Sequence, residues 1–115
     1  MTMIRKRIKI PMYFQNLMII QTDDFDEIEK VYGLDKAPGG YDAVTFLWKG
    51  DIVVVFNSKV TPSIVAHESV HICSFIFYLV GAEKDINNDE HEAYITGYVV
   101  EQIHKTIEVY DKRTI

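Results

Sequence analysis

The chain has 115 residues, which is enough for one domain with one hydrophobic core and too short for two ordinary domains. Hydrophobic residues make up 48% of the chain and charged residues 25%, a composition that excludes a disordered segment. The formal net charge of -5 gives no general attraction to nucleic acid or to anionic membranes. Residues 1–10 are locally basic, and we interpret them as a solvated edge of a single domain that spans residues 1–115.

The N-terminal segment does not fit a secretory signal. Pro11, Gln15 and Asn16 interrupt its apolar run, and no small-residue cleavage site follows. The longest apolar stretch, ICSFIFYLV at residues 72–80, is far shorter than a membrane span. It contains the single cysteine, Cys73, which cannot form an internal disulfide. We therefore expect a cytoplasmic protein whose mature chain begins at Met1, with no nucleic-acid or membrane partner and with Cys73 in its core.

The first third of the chain predicts one extended segment and one short helix. Residues 7–20, RIKIPMYFQNLMII, are typical of extended structure, and Pro11 indicates an edge or an irregularity. Residues 23–34, DDFDEIEKVYGL, begin with acidic residues and continue with apolar residues at helical spacing, and Gly33 is placed to end the helix. Residues 36–42, KAPGGYD, have the composition of a loop.

The rest of the chain predicts a hairpin and two longer helices. Residues 43–57, AVTFLWKGDIVVVFN, have two β-branched and aromatic runs around a short connection that contains glycine. A helix follows, with Thr61 as its cap, Pro62 at its first position and Gly81 at its end. Because this helix is apolar on nearly every side, we expect it to run through the middle of the domain. A last helix is predicted from about residue 88 to 110.

The central helix carries the motif that points to chemistry. In AHESVH, His67 and His71 are four residues apart, and Glu68 directly follows the first histidine. On a helix, residues four apart lie on one face, so both imidazoles can be directed at one point. Zinc takes such ligands, and the glutamate is left to hold an attacking water. The alternative is a pair of core histidines, and we disfavour it because burying two imidazoles and a carboxylate without a metal is costly.

A third ligand is expected from the acidic start of the last helix. Glu90 shares a helical face with Ala93 and Gly97, and two small residues would allow close packing on another helix. Glu92 lies in line with Thr96 on a face that is also a plausible core face. Helical geometry leaves both glutamates as candidates. For Asp89 and for one of the two glutamates, a favourable interaction with the helix dipole is explanation enough.

Together these residues give a sequence that resembles the gluzincin class of zinc metallopeptidases. In that class, one helix carries His-Glu-x-x-His and a following helix supplies a glutamate as third ligand. Residues 72–89 separate His71 from Glu90, and this spacing of 18 residues is typical of aminopeptidase N-like and thermolysin-like members. Ala93, three residues after Glu90, matches the small residue that such families tend to place there, which favours Glu90 over Glu92. Tyr94 departs from the aspartate that often follows the ligand glutamate by four positions.

Residues 43–105 are also similar to short metallopeptidase-like proteins of phages and mobile elements. The resemblance implies an α+β fold: a minimal zincin-like domain with a small, mostly antiparallel sheet packed on an active-site helix and a C-terminal helix that bears the glutamate. It implies a Zn²⁺ ion held by His67, His71 and Glu90, and Glu68 as the general base that hydrolyses peptide bonds. In zincin-like folds a strand beside the active-site helix binds an extended peptide. Residues 43–48 or 52–57 are candidates for that strand, although a core strand is the more common case.

Two functions follow from the motif. The first is a zinc-dependent metallopeptidase that acts on a peptide or protein substrate. The alternative is a non-catalytic zincin-like domain that binds metal and serves as a binding or host-interaction module. A purely structural metal site has no need of an unligated carboxylate at position 68, so Glu68 favours the enzyme. The sequence leaves the substrate, the cleavage specificity and the oligomeric state open.

Overall fold

A computed structural model of the chain describes residues 3–11, 13–35 and 41–110. These residues form four strands and three helices. In chain order the elements are β1 (Ile4–Lys9), β2 (Asn16–Gln21), α1 (Phe25–Tyr32), β3 (Ala43–Trp48), β4 (Asp51–Phe56), α2 (Pro62–Val80) and α3 (Glu90–Thr106).

The strands form one mixed sheet with the order β1-β2-β4-β3. The pairs β1·β2 and β3·β4 are antiparallel, and β2 pairs with β4 in parallel. Helices α2 and α3 contribute to the core on one face of the sheet, and α1 covers the other face. The predicted α+β class is thereby confirmed, with a small, mostly antiparallel sheet packed on the helix that carries the motif.

Strand β4 lies at the centre of the fold because it is apolar on both faces. Ile52 and Val54 belong to the core beneath α2 and α3, and Val53 and Val55 belong to the smaller core beneath α1. All four side chains are at most 2% exposed. A strand buried on both faces reads as a continuous hydrophobic run, as this one does.

The predicted hairpin at residues 43–57 is confirmed. Its connection consists of Lys49 and Gly50, which have φ angles of 49° and 84°. A two-residue hairpin turn of type I′ needs positive φ at both central positions, and glycine adopts that backbone without strain. The turn fixes the register, in which Trp48 pairs with Asp51.

The segment at residues 7–20 folds back on itself, which the sequence pattern did not reveal. We expected one extended run with an irregularity at Pro11, whereas β1 and β2 form a second antiparallel hairpin with Lys9 opposite Asn16. The turn is closed by two backbone hydrogen bonds: the N–H of Ile10 donates to the oxygen of Gln15, and the N–H of Phe14, which has a φ angle of 58°, donates to the oxygen of Ile10. A left-handed phenylalanine is an uncommon turn residue, so composition gave no signal for this reversal.

Helix α1 has the ends that its sequence predicts. The Asp24 side chain accepts a hydrogen bond from the backbone N–H of Glu27, and Gly33 ends the helix in the left-handed conformation. Phe25 and Ile28 are buried against the sheet. The loop predicted for residues 36–42 lies mostly outside the described part of the chain, which resumes at residue 41.

Helix α2 also begins and ends as predicted. The Thr61 side chain accepts a hydrogen bond from the backbone N–H of Ile64, Pro62 occupies the first turn, and Gly81 ends the helix with a φ of 70°. The expectation that α2 is buried all round is wrong. One face packs on the sheet and on α3, and the opposite face is open, with Tyr78 74% exposed.

By length and composition alone, α2 is apolar enough to cross a membrane, and among the described residues it is the one helix that passes this test. Its buried face packs on the sheet and on α3, and 39% of its apolar window is buried. Helix α3 is shorter than the predicted range of 88 to 110, and its buried line consists of Ile95, Val99 and Ile103.

Hydrogen bonds of the Gln21 side chain hold the segment after α3 at the end of β2. Its side-chain Nε2 donates to the backbone oxygens of Asn57 and Glu108, at 3.2 and 2.9 Å. Its Oε1 accepts from the backbone N–H of Glu108 at 2.9 Å. Gln21 is only 6% exposed, so these bonds satisfy a polar side chain inside the core.

Candidate metal centre

The two histidines of the motif face each other on the open side of α2. The Nε2 atoms of His67 and His71 are 3.2 Å apart, and their rings meet edge to face with centroids separated by 4.9 Å. This proximity follows from helical geometry, because residues four apart lie one turn above each other on the same face. Both side chains are exposed, and the His67 side chain retains 68% of its accessible surface.

Glu68, unlike the two histidines, is buried, and its side chain lies between α2 and strand β3. Its side chain is 7% exposed. The Thr45 hydroxyl on β3 donates a hydrogen bond of 2.7 Å to its Oε1. The other oxygen, Oε2, lies 3.8 Å from the Nε2 of His67. Glu68 is therefore a buried carboxylate with one oxygen held by the sheet and the second directed toward the histidine pair.

The donor atoms fit one small cation. The ligand atoms of His67, Glu68 and His71 all lie within 4.8 Å of one another, and this is the one such group among the described residues. Two nitrogens bound to the same tetrahedral zinc at about 2.0–2.1 Å are about 3.3 Å apart. The observed 3.2 Å between the histidine nitrogens matches that spacing. Imidazole nitrogens and a carboxylate oxygen are also the donor types that zinc takes.

One reason given above for a metal site is wrong in detail. We argued from the cost of burying two imidazoles, but His67 and His71 are exposed, and only Glu68 is buried. The sequence of α2 is so apolar that its hydrophobic pattern does not show which side faces water. The case for a metal now depends on the spacing of the nitrogens and on the buried carboxylate beside them.

The helical face that favoured Glu90 does not pack on another helix. Ala93 and Gly97 are exposed, and Tyr94 is 72% exposed. A Cβ atom built on Gly97 would meet nothing within 4 Å. Glu90 lies at the first position of α3, exposed beside Asn88, and it is not part of the group formed around His67. Its role as third ligand stays a prediction.

Glu92 lies on the side of α3 that packs on α2. Its backbone oxygen is 3.8 Å from the Sγ of Cys73, and its carboxylate is paired with Lys84 at 2.9 Å. Lys84 also donates to the hydroxyl of Ser74 at 2.8 Å. The Glu92 charge is thus already compensated, whereas the Glu90 side chain makes no hydrogen bond or ion pair within residues 3–11, 13–35 and 41–110.

A cleft of about 380 Å³ opens beside the histidines. It lies between the first turns of α2 and the beginning of β3. Its lining residues are Tyr41, Asp42, Ala43, Ser63, Ile64, His67 and Glu68. The buried carboxylate and one of the two histidines therefore share a single opening with the end of an edge strand, which leaves room for a small segment of a ligand.

Strand β3 lies at the edge of the described sheet, and its backbone alternates between partner and solvent. The N–H of Asn57 donates to the backbone oxygen of Asp42 at 3.0 Å, which marks these two residues as a hydrogen-bonded antiparallel pair. Residues at alternate positions then direct their N–H and C=O groups away from β4. By this alternation, Ala43, Thr45 and Leu47 present backbone groups at the open edge.

Comparisons with protein-family models, with curated proteins and with solved structures find no match to this chain.

Two residues near the site, Thr45 and Lys84, could not be recognised as candidates from the sequence. Thr45 lay in a predicted strand without any sign of its partner, and Lys84 lay in a polar loop. Only the three-dimensional contacts with Glu68 and Glu92 single them out.

Proposed function

We propose that this chain is a zinc-dependent peptidase in which His67 and His71 hold the metal and Glu68 is the general base. The observation that carries the proposal is the pair of histidine nitrogens 3.2 Å apart with a buried carboxylate oxygen 3.8 Å from one of them. A zinc ion bound by the two nitrogens would therefore be close enough to the carboxylate oxygen of Glu68 for both to contact the same water molecule. A buried carboxylate beside a metal site is the arrangement that hydrolysis needs.

The residues divide the reaction between them. Zinc held by His67, His71 and Glu90 would supply a Lewis acid and a water of lowered pKa. Glu68 takes a proton from the water, whose oxygen forms the new bond to the peptide carbonyl carbon. When the C–N bond breaks, Glu68 delivers that proton to the leaving nitrogen, and the products are a carboxylic acid and an amine, which at neutral pH are present as a carboxylate and an ammonium. The low exposure of Glu68 keeps competing water away from this proton.

An extended peptide is the substrate that the surroundings of the site favour. The backbone groups of β3 that face away from β4 can pair with an added strand, which is a common mode of peptide recognition. Strand β4 is excluded from this role because it is paired on both sides, with β2 and with β3. Of the two strands considered from the sequence, AVTFLW is therefore the one that suits the proposal.

Glu90 belongs to the same proposal as third zinc ligand. Its carboxylate is exposed at the beginning of α3, while that of Glu92 is held by Lys84. A polar segment, residues 82–89, separates the first turn of α3 from α2 and belongs to no helix or strand. The contact between the Cys73 side chain and the backbone oxygen of Glu92 lies where the beginning of α3 packs against α2.

We also propose a cytoplasmic location. Cys73 is a free, buried thiol, which suits a reducing compartment. The substrate is then an intracellular peptide or protein.

The test compares metal content and peptide hydrolysis in matched variants. Wild type, Glu68→Gln, His71→Ala and His104→Ala are purified with zinc, dialysed and assayed against a mixed peptide library. We expect Glu68→Gln to keep its zinc and lose hydrolysis, and His71→Ala to lose both. His104 is an exposed histidine on α3, and its variant should behave as wild type. Full zinc content in His71→Ala would show that the metal site is wrong.

The pair Glu90→Gln and Glu92→Gln separates the candidate third ligands, because each change removes one charge two residues from the other. We expect weaker zinc binding in Glu90→Gln alone. The reverse result would transfer the role to Glu92. Zinc binding without cleavage of any peptide would instead support the non-catalytic binding module.

A further inference from the structure

Glu68 is held by one side chain from outside its own helix. The Thr45 hydroxyl donates to Oε1 at 2.7 Å, a short bond for an O–H group on a carboxylate. Every buried side-chain nitrogen and oxygen atom among the described residues has a hydrogen-bond partner. For Oε1 of Glu68, that partner comes from the edge strand.

This bond fixes the orientation of the Glu68 carboxylate relative to the proposed metal ligands. With Oε1 occupied by Thr45, Oε2 is the oxygen turned toward His67, at 3.8 Å. Without the hydroxyl, the last side-chain torsion of a glutamate is broad, and the carboxylate would also adopt orientations in which neither oxygen faces His67. The threonine side chain is itself stiff because it branches at Cβ. Thr45 thus removes a rotational freedom that a general base does not need.

Thr45 also stands on the edge that the proposed substrate would use. Its side chain points to α2, and its backbone N–H and C=O face away from β4. A peptide added to this edge would bond to the same residue whose hydroxyl holds the base. The distance between a bound peptide carbonyl and Oε2 is then set through a single residue.

We propose that Thr45 is a positioning residue that orients Glu68 for proton transfer and couples it to the peptide bound on β3. This inference rests on the proposed peptidase function. Removal of a group that orients a metal ligand changes activity by about 10- to 100-fold, and we expect an effect of the same size for a group that orients the general base. The effect belongs in kcat, because neither the hydrogen-bonding edge nor the metal ligands change.

The test compares Thr45→Val, which keeps the shape and removes the donor, with Thr45→Ser, which keeps the donor. We expect kcat to fall about 10- to 100-fold in Thr45→Val, with KM within about 3-fold of wild type and zinc content unchanged. Thr45→Ser should recover kcat to within about 3-fold. In parallel, the carboxyl ¹³C resonance of Glu68 should shift in Thr45→Val and stay near its wild-type position in Thr45→Ser.

Three results would overturn the inference. An unchanged kcat in Thr45→Val would show that the hydroxyl does not orient the base. A rise in KM alone would assign Thr45 to substrate binding. Equal loss of kcat in both variants, with an unshifted resonance in Thr45→Ser, would indicate a packing role. A wild type that cleaves no peptide overturns the proposed function itself, and that outcome is recognised without any Thr45 variant.

Discussion

Zinc should stabilise the folded domain, and His71→Ala should abolish most of that effect. The Nε2 atoms of His67 and His71, 3.2 Å apart, are brought together only in the folded helix, so an ion bound between them favours the native state. At a free zinc concentration 100 times the dissociation constant, binding adds about 2.7 kcal/mol to the free energy of unfolding. A domain of this size gains about 4 °C in Tm per kcal/mol, so we expect a shift of about 10 °C.

The variant gives a second number. If loss of one imidazole weakens binding about 100-fold, the same zinc concentration only equals the new dissociation constant. The gain then falls to about 0.4 kcal/mol, or about 2 °C in Tm. The measurement is thermal unfolding followed by circular dichroism, first in a chelator and then with added zinc.

His104→Ala is the matched control, since it removes an exposed histidine from the last turn of α3. It should show the full shift. A His71→Ala protein stabilised by zinc as strongly as the wild type would refute the assignment of these nitrogens, and so would a loss of the shift in His104→Ala.

Two further predictions concern the fold that supports the site. Gln21→Ala removes three hydrogen bonds and leaves Glu108, just after α3, without its anchor, so urea unfolding should show a free energy of unfolding lowered by about 2–3 kcal/mol. A loss below about 0.5 kcal/mol would mean that water replaces these bonds. Burial raises the pKa of the Cys73 thiol, so a thiol reagent at neutral pH should leave it unmodified in the folded protein and react fully in denaturant. Rapid labelling of the native protein would show that the contact between α2 and α3 opens.

The parts of the fold that could be predicted from the sequence are those fixed by neighbours along the chain. Thr61, Pro62 and Gly81 set the ends of α2 by local hydrogen bonds and backbone preferences. The turn at Lys49 and Gly50 is likewise a local feature. The reversal between β1 and β2 escaped prediction because its left-handed residue is a phenylalanine, and no propensity favours that.

The site divides in the same way. Helical spacing alone brings His67 beside His71, and the structure has them together. Which face of α2 is turned toward the sheet depends on packing that no local pattern encodes. The exposure of the histidines and the burial of Glu68 were therefore not predicted. The choice between Glu90 and Glu92 depends on how α3 meets α2. A polar segment lies between those helices, and its sequence does not specify their angle.

The two edges of the sheet have opposite surfaces. Strand β1, the edge remote from the site, carries Arg5, Lys6, Arg7 and Lys9, and such charges repel a strand from another molecule. Strand β3 has no charged residue between Ala43 and Trp48. An uncharged edge invites association with any extended chain, including an unfolded copy of the same protein. Of the two edges, only the one beside Glu68 lacks charges that oppose aggregation. It is also the edge on which the proposed peptide substrate would bind.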